Sequence, residues 1–102
     1  MIRHIVLVKW KPGATEQEKK RMIDGTHRLG KSIPKVVSMT SGVGLDWIAG
    51  SFDFGMVADF KNHEDWLDYR EHPEHERFVR EAFSVVGEIA RLQIDTSIET
   101  AQ

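Results

Sequence analysis

The segment from Phe52 to Phe60 alternates without a break. Phe52, Phe54, Met56, Ala58 and Phe60 fall on one side, and Asp53, Gly55, Val57 and Asp59 on the other. A period of two over nine positions is the signature of a half-buried β-strand and is incompatible with an amphipathic helix. Ile2 to Trp10 repeats the pattern. Ile2, His4, Val6, Val8 and Trp10 share one face, with Arg3, Ile5, Leu7 and Lys9 on the other. Apolar residues on both faces imply that the middle of this strand is covered on both sides.

The segments between these strands read as helices. Lys11-Pro12-Gly13 is a turn, and Thr15-Glu16-Gln17-Glu18 fits a capping box with Thr15 as N-cap. A helix is expected from there to about Lys31, with a thin apolar stripe of Met22, Ile23 and Leu29 joined by Thr26 and Ile33. Pro34 ends it. Val36 to Val43 reads as a strand, and Leu45 to Ser51 as a loop carrying Asp46 and Trp47. Asn62 caps a second helix, with Glu64 and Asp65 in its first turn and Trp66, Leu67 and Tyr69 as apolar contacts. Pro73 interrupts this helix and can start a new turn with His72 as its N-cap. Phe78, Val79, Ala82 and Phe83 continue the stripe, Gly87 breaks it, and Glu88 to Asp95 reads as the last strand.

The order β-α-β-β-α-β is the ferredoxin-like arrangement, an α+β fold with an antiparallel sheet and two helices on one face. The reading is a single domain over residues 1–96 with a polar C-terminal tail over 97–102. A chain of 102 residues buries only about 60–65% of the surface its unfolded form exposes. Helices cover only one face of such a sheet. His4, Val6, Val8, Trp10, Phe52, Phe54 and Met56 are expected on the other, which is too much apolar surface for a soluble monomer. A homodimer through that sheet face is the expected solution.

Composition removes several function classes. The 14 basic and 16 acidic residues nearly balance, so no excess positive charge is available for nucleic acid. No apolar run approaches the roughly 20 residues of a membrane span. No signal peptide is expected ahead of the first strand. There is no cysteine, hence no disulfide, thiolate nucleophile or thiolate metal site. A cytoplasmic protein is the default expectation.

The densest group of functional side chains is Tyr69-Arg70-Glu71-His72-Pro73-Glu74-His75. Histidine can exchange protons near neutral pH and tyrosine can donate a hydrogen bond or proton. The plainer reading makes His72 a helix cap and His75 a packing residue. His4, on an apolar face, needs a partner or a polar cavity; the plainer reading is a satisfied core histidine. His27 and His63 read as helix-surface residues. His72 and His75 do not make a metal site, because no third ligand is visible and His-Pro-Glu-His is not the helical zinc signature. No phosphate-binding glycine loop and no serine nucleophile elbow occurs. Neither a metal nor a cofactor is expected. The Phe52, Phe54, Phe60 alternation reads as core rather than an RNA platform.

Three stretches together resemble the stress-responsive α/β-barrel domain (Dabb) family. They are Ile2 to Gly13, Phe52 to Phe60, and Leu67 to Phe78 with its Tyr followed by His-Pro-x-His and an aromatic residue. The resemblance spans Met1 to about Asp95 and implies a ferredoxin-like fold whose two copies form a dimeric α+β barrel. The family includes plant heat-stable proteins and olivetolic acid cyclase, which closes a linear polyketide by aldol condensation. Its catalytic Tyr and second His match Tyr69 and His75, and its first-strand pocket His matches His4. A third-strand pocket histidine falls at Phe54 here, which makes this pocket more apolar, so the same substrate is not implied.

The resemblance therefore implies His75, Tyr69 and His4 as catalytic residues. Val6, Val8, Trp10, Phe54, Met56 and His72 would be substrate-binding, around a small apolar or aromatic ligand. The first functional reading is a cofactor-independent cyclase, lyase or isomerase. The alternatives are a non-catalytic ligand-binding or stress-response protein and, by shared architecture alone, a cofactor-free monooxygenase.

Overall fold

The computed structural model describes residues 1–98. Its elements are β1 (Ile2–Trp10), α1 (Glu16–Ser32), β2 (Ser38–Val43), β3 (Phe54–Phe60), α2 (His63–Glu71), α3 (Pro73–Ala82) and β4 (Val86–Asp95). The four strands form one sheet in the order β2-β3-β1-β4 with every neighbouring pair antiparallel. This is the ferredoxin-like α+β fold. The second helix is divided where Pro73 removes a backbone N–H, so α2 and α3 are separate helices joined at His72. The capping box at Thr15 and Glu18 is present.

Strand limits differ slightly from the sequence reading. β2 begins at Ser38 rather than Val36 and β3 at Phe54 rather than Phe52. Gly87 does not break the chain but sits inside β4. A Cβ there would come within 3.0 Å of the Lys11 Cα and the Trp10 carbonyl oxygen, so only glycine lets the strands approach at the irregularity between Lys9 and Trp10. Of the expected tail, Ser97 and Ile98 follow β4 in a turn held by Asp95, and 99–102 lie outside the described residues.

The face assignment of the sheet is reversed from expectation. His4, Val6 and Val8 of β1 and Phe54, Met56, Ala58 and Phe60 of β3 point toward the helices and build the core. One cluster joins Met56, Ala58, Phe60 and Tyr69 to Leu29 and Ile33, and the other joins Val8 and Phe54 to Met22, Ala82 and Val85. Alternation defines two sets of residues but not which set meets the helices. Charge decides it: the other set carries Arg3, Lys9 and Asp59, which need water or partners.

On that open face the Arg3 Nε lies 2.9 Å from Asp59 Oδ1, and Lys9 Nζ lies 3.9 Å from Glu88 Oε2. Between these ion pairs the register aligns Ile5 of β1 with Val57 of β3 and Leu92 of β4, and Leu7 with Gly55 and Ala90. Leu92 is 55% exposed and Ile94 41%. The uncovered apolar face thus exists, but His4, Val6, Val8, Trp10, Phe54 and Met56 are not on it.

Candidate active site

The site begins with the break at Pro73. In an uninterrupted helix the Tyr69 and Arg70 carbonyls would accept from the N–H groups of residues 73 and 74. Proline has no N–H, and the Tyr69 carbonyl accepts instead from the His72 N–H at 3.2 Å. The Glu74 N–H donates to the His72 Nδ1 at 3.1 Å. The Arg70 carbonyl is then left for the His75 ring, whose Nδ1 lies 3.0 Å away. A carbonyl only accepts, so Nδ1 carries the proton and Nε2 keeps its lone pair. The spacing His-Pro-x-His thus fixes the tautomer of His75 through backbone geometry. His72 itself is occupied as the cap.

α2 and α3 bring this histidine to Tyr69, with ring centroids 4.6 Å apart. Tyr69 is 2% exposed, packs against Phe60 at 4.9 Å, and lies 6.2 Å from His4. Burial pushes the Tyr69 phenol up, so it remains a donor. Among the described residues its phenol makes no hydrogen bond.

His4 is 6% exposed and meets Trp66 at 5.9 Å and Phe60 at 6.5 Å, edge to face. The register sets it opposite Gln93 of β4, whose amide donates to His4 Nδ1 at 2.9 Å. The His4 proton therefore sits on Nε2. Burial, reinforced by His75, Arg91 and Arg70, lowers its pKa to about 4. Burial also lowers the pKa of His75, against the opposing effect of its bond to Arg70. Both imidazoles are neutral at physiological pH. One presents a lone pair and the other an N–H, beside a phenol.

The three residues expected to be catalytic are thus brought together. Of the expected binding residues, Val6 and Met56 belong to the same cluster as Tyr69. Val8 and Phe54 lie in the second cluster with Trp10, whose ring is 5.8 Å from Phe54. Trp66, Phe60 and Gln93 at the site were not anticipated. Gln93 could be found only from the β1–β4 register, which the sequence does not encode locally.

Two concavities lie elsewhere, between α1 and α3. One, of about 440 Å³, is lined by Arg21, Met22, Phe78, Ala82 and Val85 among others, and the second, of about 120 Å³, by Gly25, Leu29, Arg77 and Phe78. Among the described residues no group of three or more His, Asp or Glu is placed to hold a metal ion. Among them, too, no helix is long and apolar enough to cross a membrane.

An antiparallel ferredoxin-like sheet carrying a His–Tyr–His cluster beneath a proline-split helix defines an α+β domain with a candidate acid–base site. The chain belongs to the stress responsive A/B barrel domain (Dabb) family, whose family model matches residues 2–98. Among solved structures it is similar to a dimeric ferredoxin-like protein of unknown function from Thermobifida fusca, at 27% identity and a TM-score of 0.84, covering 91% of this chain and 88% of that one. It is also similar in fold to a hydroxynitrile lyase from Passiflora edulis, at 21% identity and a TM-score of 0.83, covering 96% of each. A Dabb family protein from Mesorhizobium loti matches at 23% identity and a TM-score of 0.78, covering 92% and 94%. Among proteins with curated descriptions none matches.

Proposed function

We propose that the chain acts as a homodimeric, cofactor-independent acid–base enzyme of the lyase, cyclase or isomerase type on a small carbonyl compound. The observation that carries this is the fixed tautomer of His75 beside Tyr69. The Nε2 lone pair of His75 takes a proton from a carbon next to a carbonyl. The electron pair of that C–H bond moves onto the carbonyl oxygen, where the Tyr69 phenol and the His4 Nε2–H donate to the developing enolate. Because burial keeps the His75 pKa low, the imidazolium returns its proton readily. Return to a second carbon gives isomerisation, attack of the enolate carbon on another carbonyl gives ring closure, and loss of a β-substituent gives lyase chemistry. Val6, Met56, Phe60 and Trp66 supply apolar walls.

The dimer is supported by the apolar strip of Ile5, Leu7, Val57, Leu92 and Ile94 on the open sheet face, and by the Thermobifida fusca protein, described as dimeric.

A second reading, non-catalytic ligand binding, is favoured by the 2% exposure of Tyr69, which leaves little room beside it. Deuterium exchange separates the two. Aryl methyl ketones and 1,3-diketones are incubated with protein in D2O and followed by proton NMR. The enzyme reading expects exchange at the α-carbon above the buffer rate, reduced about 100-fold or more in His75→Ala. Exchange at the buffer rate across the panel, or full exchange in His75→Ala, overturns it.

A further inference from the structure

Two arginines at the rim of the His–Tyr–His cluster have no role in the chemistry above. Arg70 precedes its neighbours in the split helix, and its guanidinium lies 5.6 Å from the centre of the Trp66 ring. That ring is in turn 5.9 Å from His4. Arg91 stands on β4 opposite Val6, on the helix-facing side of the sheet and two residues from Gln93, the hydrogen-bond partner of His4. Both side chains belong to exposed residues. Among the described residues neither forms a salt bridge, although Arg3 and Arg77 and several lysines do. The positive charge of both bears on His4 and His75, one arginine standing on α2 and the other on β4. The Glu76 carboxylate also acts on His75 from α3.

Guanidiniums without a carboxylate partner, flanking a cluster of neutral groups, are placed to receive an anion. A planar carboxylate matches the fork of either one. We infer that Arg70 and Arg91 bind a carboxylate of the substrate, which makes the substrate class a small aromatic or aliphatic oxo acid rather than a neutral carbonyl compound. This deepens the acid–base reading and rests on it for the reacting end of the molecule. The carboxylate holds the ligand at the rim while its carbonyl enters between Tyr69, His4 and His75. A neutralised rim also ceases to oppose the transient charge on His75 during proton transfer.

The test uses 3-oxo-3-phenylpropanoate and its methyl ester, which share every group except the anion. Affinities are measured on the intact protein by titration calorimetry, and α-carbon exchange of the ester in D2O is followed in parallel. The acid is expected to bind about tenfold or more tightly than the ester, as for a charge-assisted pair near solvent. Arg91→Gln and Arg70→Gln each bring the acid-to-ester ratio toward one, and Arg91→Lys keeps most of it. Equal binding of the two compounds, absence of binding by both, or an acid preference untouched in both glutamine variants overturns the inference. Inorganic phosphate at the same concentration serves as a competitor. Displacement of the acid by phosphate at equal potency would show a general anion site and overturn the carboxylate assignment. Exchange of the ester above the buffer rate, with no preference for the acid, would overturn this inference while leaving the acid–base reading standing.

Discussion

The burial of His4 makes the stability of this protein sensitive to mild acid in a calculable way. In the unfolded chain the imidazole takes up a proton as the pH falls through 6.5, whereas in the folded chain it resists until about 4. Acid therefore favours the unfolded state across that window. The contribution of neutral His4 is complete above pH 6.5 and is lost progressively between 6.5 and 4, with no further loss below. The full gap corresponds to about 3 kcal/mol, of which about 2 kcal/mol falls between pH 7 and pH 5. His75 is shifted in the same direction and adds its own share, so the variant His4→Gln is needed to isolate the first. Urea unfolding followed by tryptophan fluorescence, at one fixed protein concentration, gives the stability at both pH values. The wild type should lose about 2 kcal/mol more than His4→Gln on going from pH 7 to 5. Parallel losses in the two proteins would refute the reasoning. So would an NMR titration in which the His4 Cε1–H moves through a midpoint near 6.5.

Two further outcomes are expected. His72→Ala removes the acceptor of the Glu74 N–H and should cost about 1 kcal/mol in urea unfolding. It should also mix the tautomers of His75 in nitrogen NMR, while His72→Asn, which can cap in the same way, restores both. Leu92→Asp places a charge in the apolar strip of the open sheet face, and sedimentation velocity should show a dimer for the wild type and a monomer for the variant.

The sequence carried the elements well because each had a local cause. Alternation marked β1 and β3, the Thr15–Glu18 box started α1, and Pro73 divided α2 from α3. The grouping of His4, Tyr69 and His75 was legible only through the family resemblance, since His4 and Tyr69 are distant in sequence and meet through the packing of α2 on the sheet. The side of the sheet was misassigned for a physical reason. Both faces of β1 carry apolar residues, and hydropathy alone does not rank Ile5 and Leu7 against Val6 and Val8. The deciding information lay in the charged ends of the odd-numbered set, Arg3 with Asp59 and Lys9 with Glu88, which pair across strands only on a face that reaches solvent. Gln93 escaped because its role is set by register, and register is a property of two strands together.

That reversal changes how the two halves of the proposed function relate. Had the histidine face been the one covered by a second copy, the site would have required the partner to exist at all. With His4 directed at α2 and α3, every group of the cluster comes from one chain. The open face lies on the opposite side of the same strands. The proposed dimer would then bear on the site through β1 and β4 rather than through contact with it. β4 is the strand that carries residues of both faces. Its Leu92 and Ile94 stand on the open face, while Gln93 between them holds the His4 ring and Arg91 stands opposite Val6. A partner copy that immobilised Leu92 and Ile94 would thereby steady the hydrogen bond that sets the tautomer of His4.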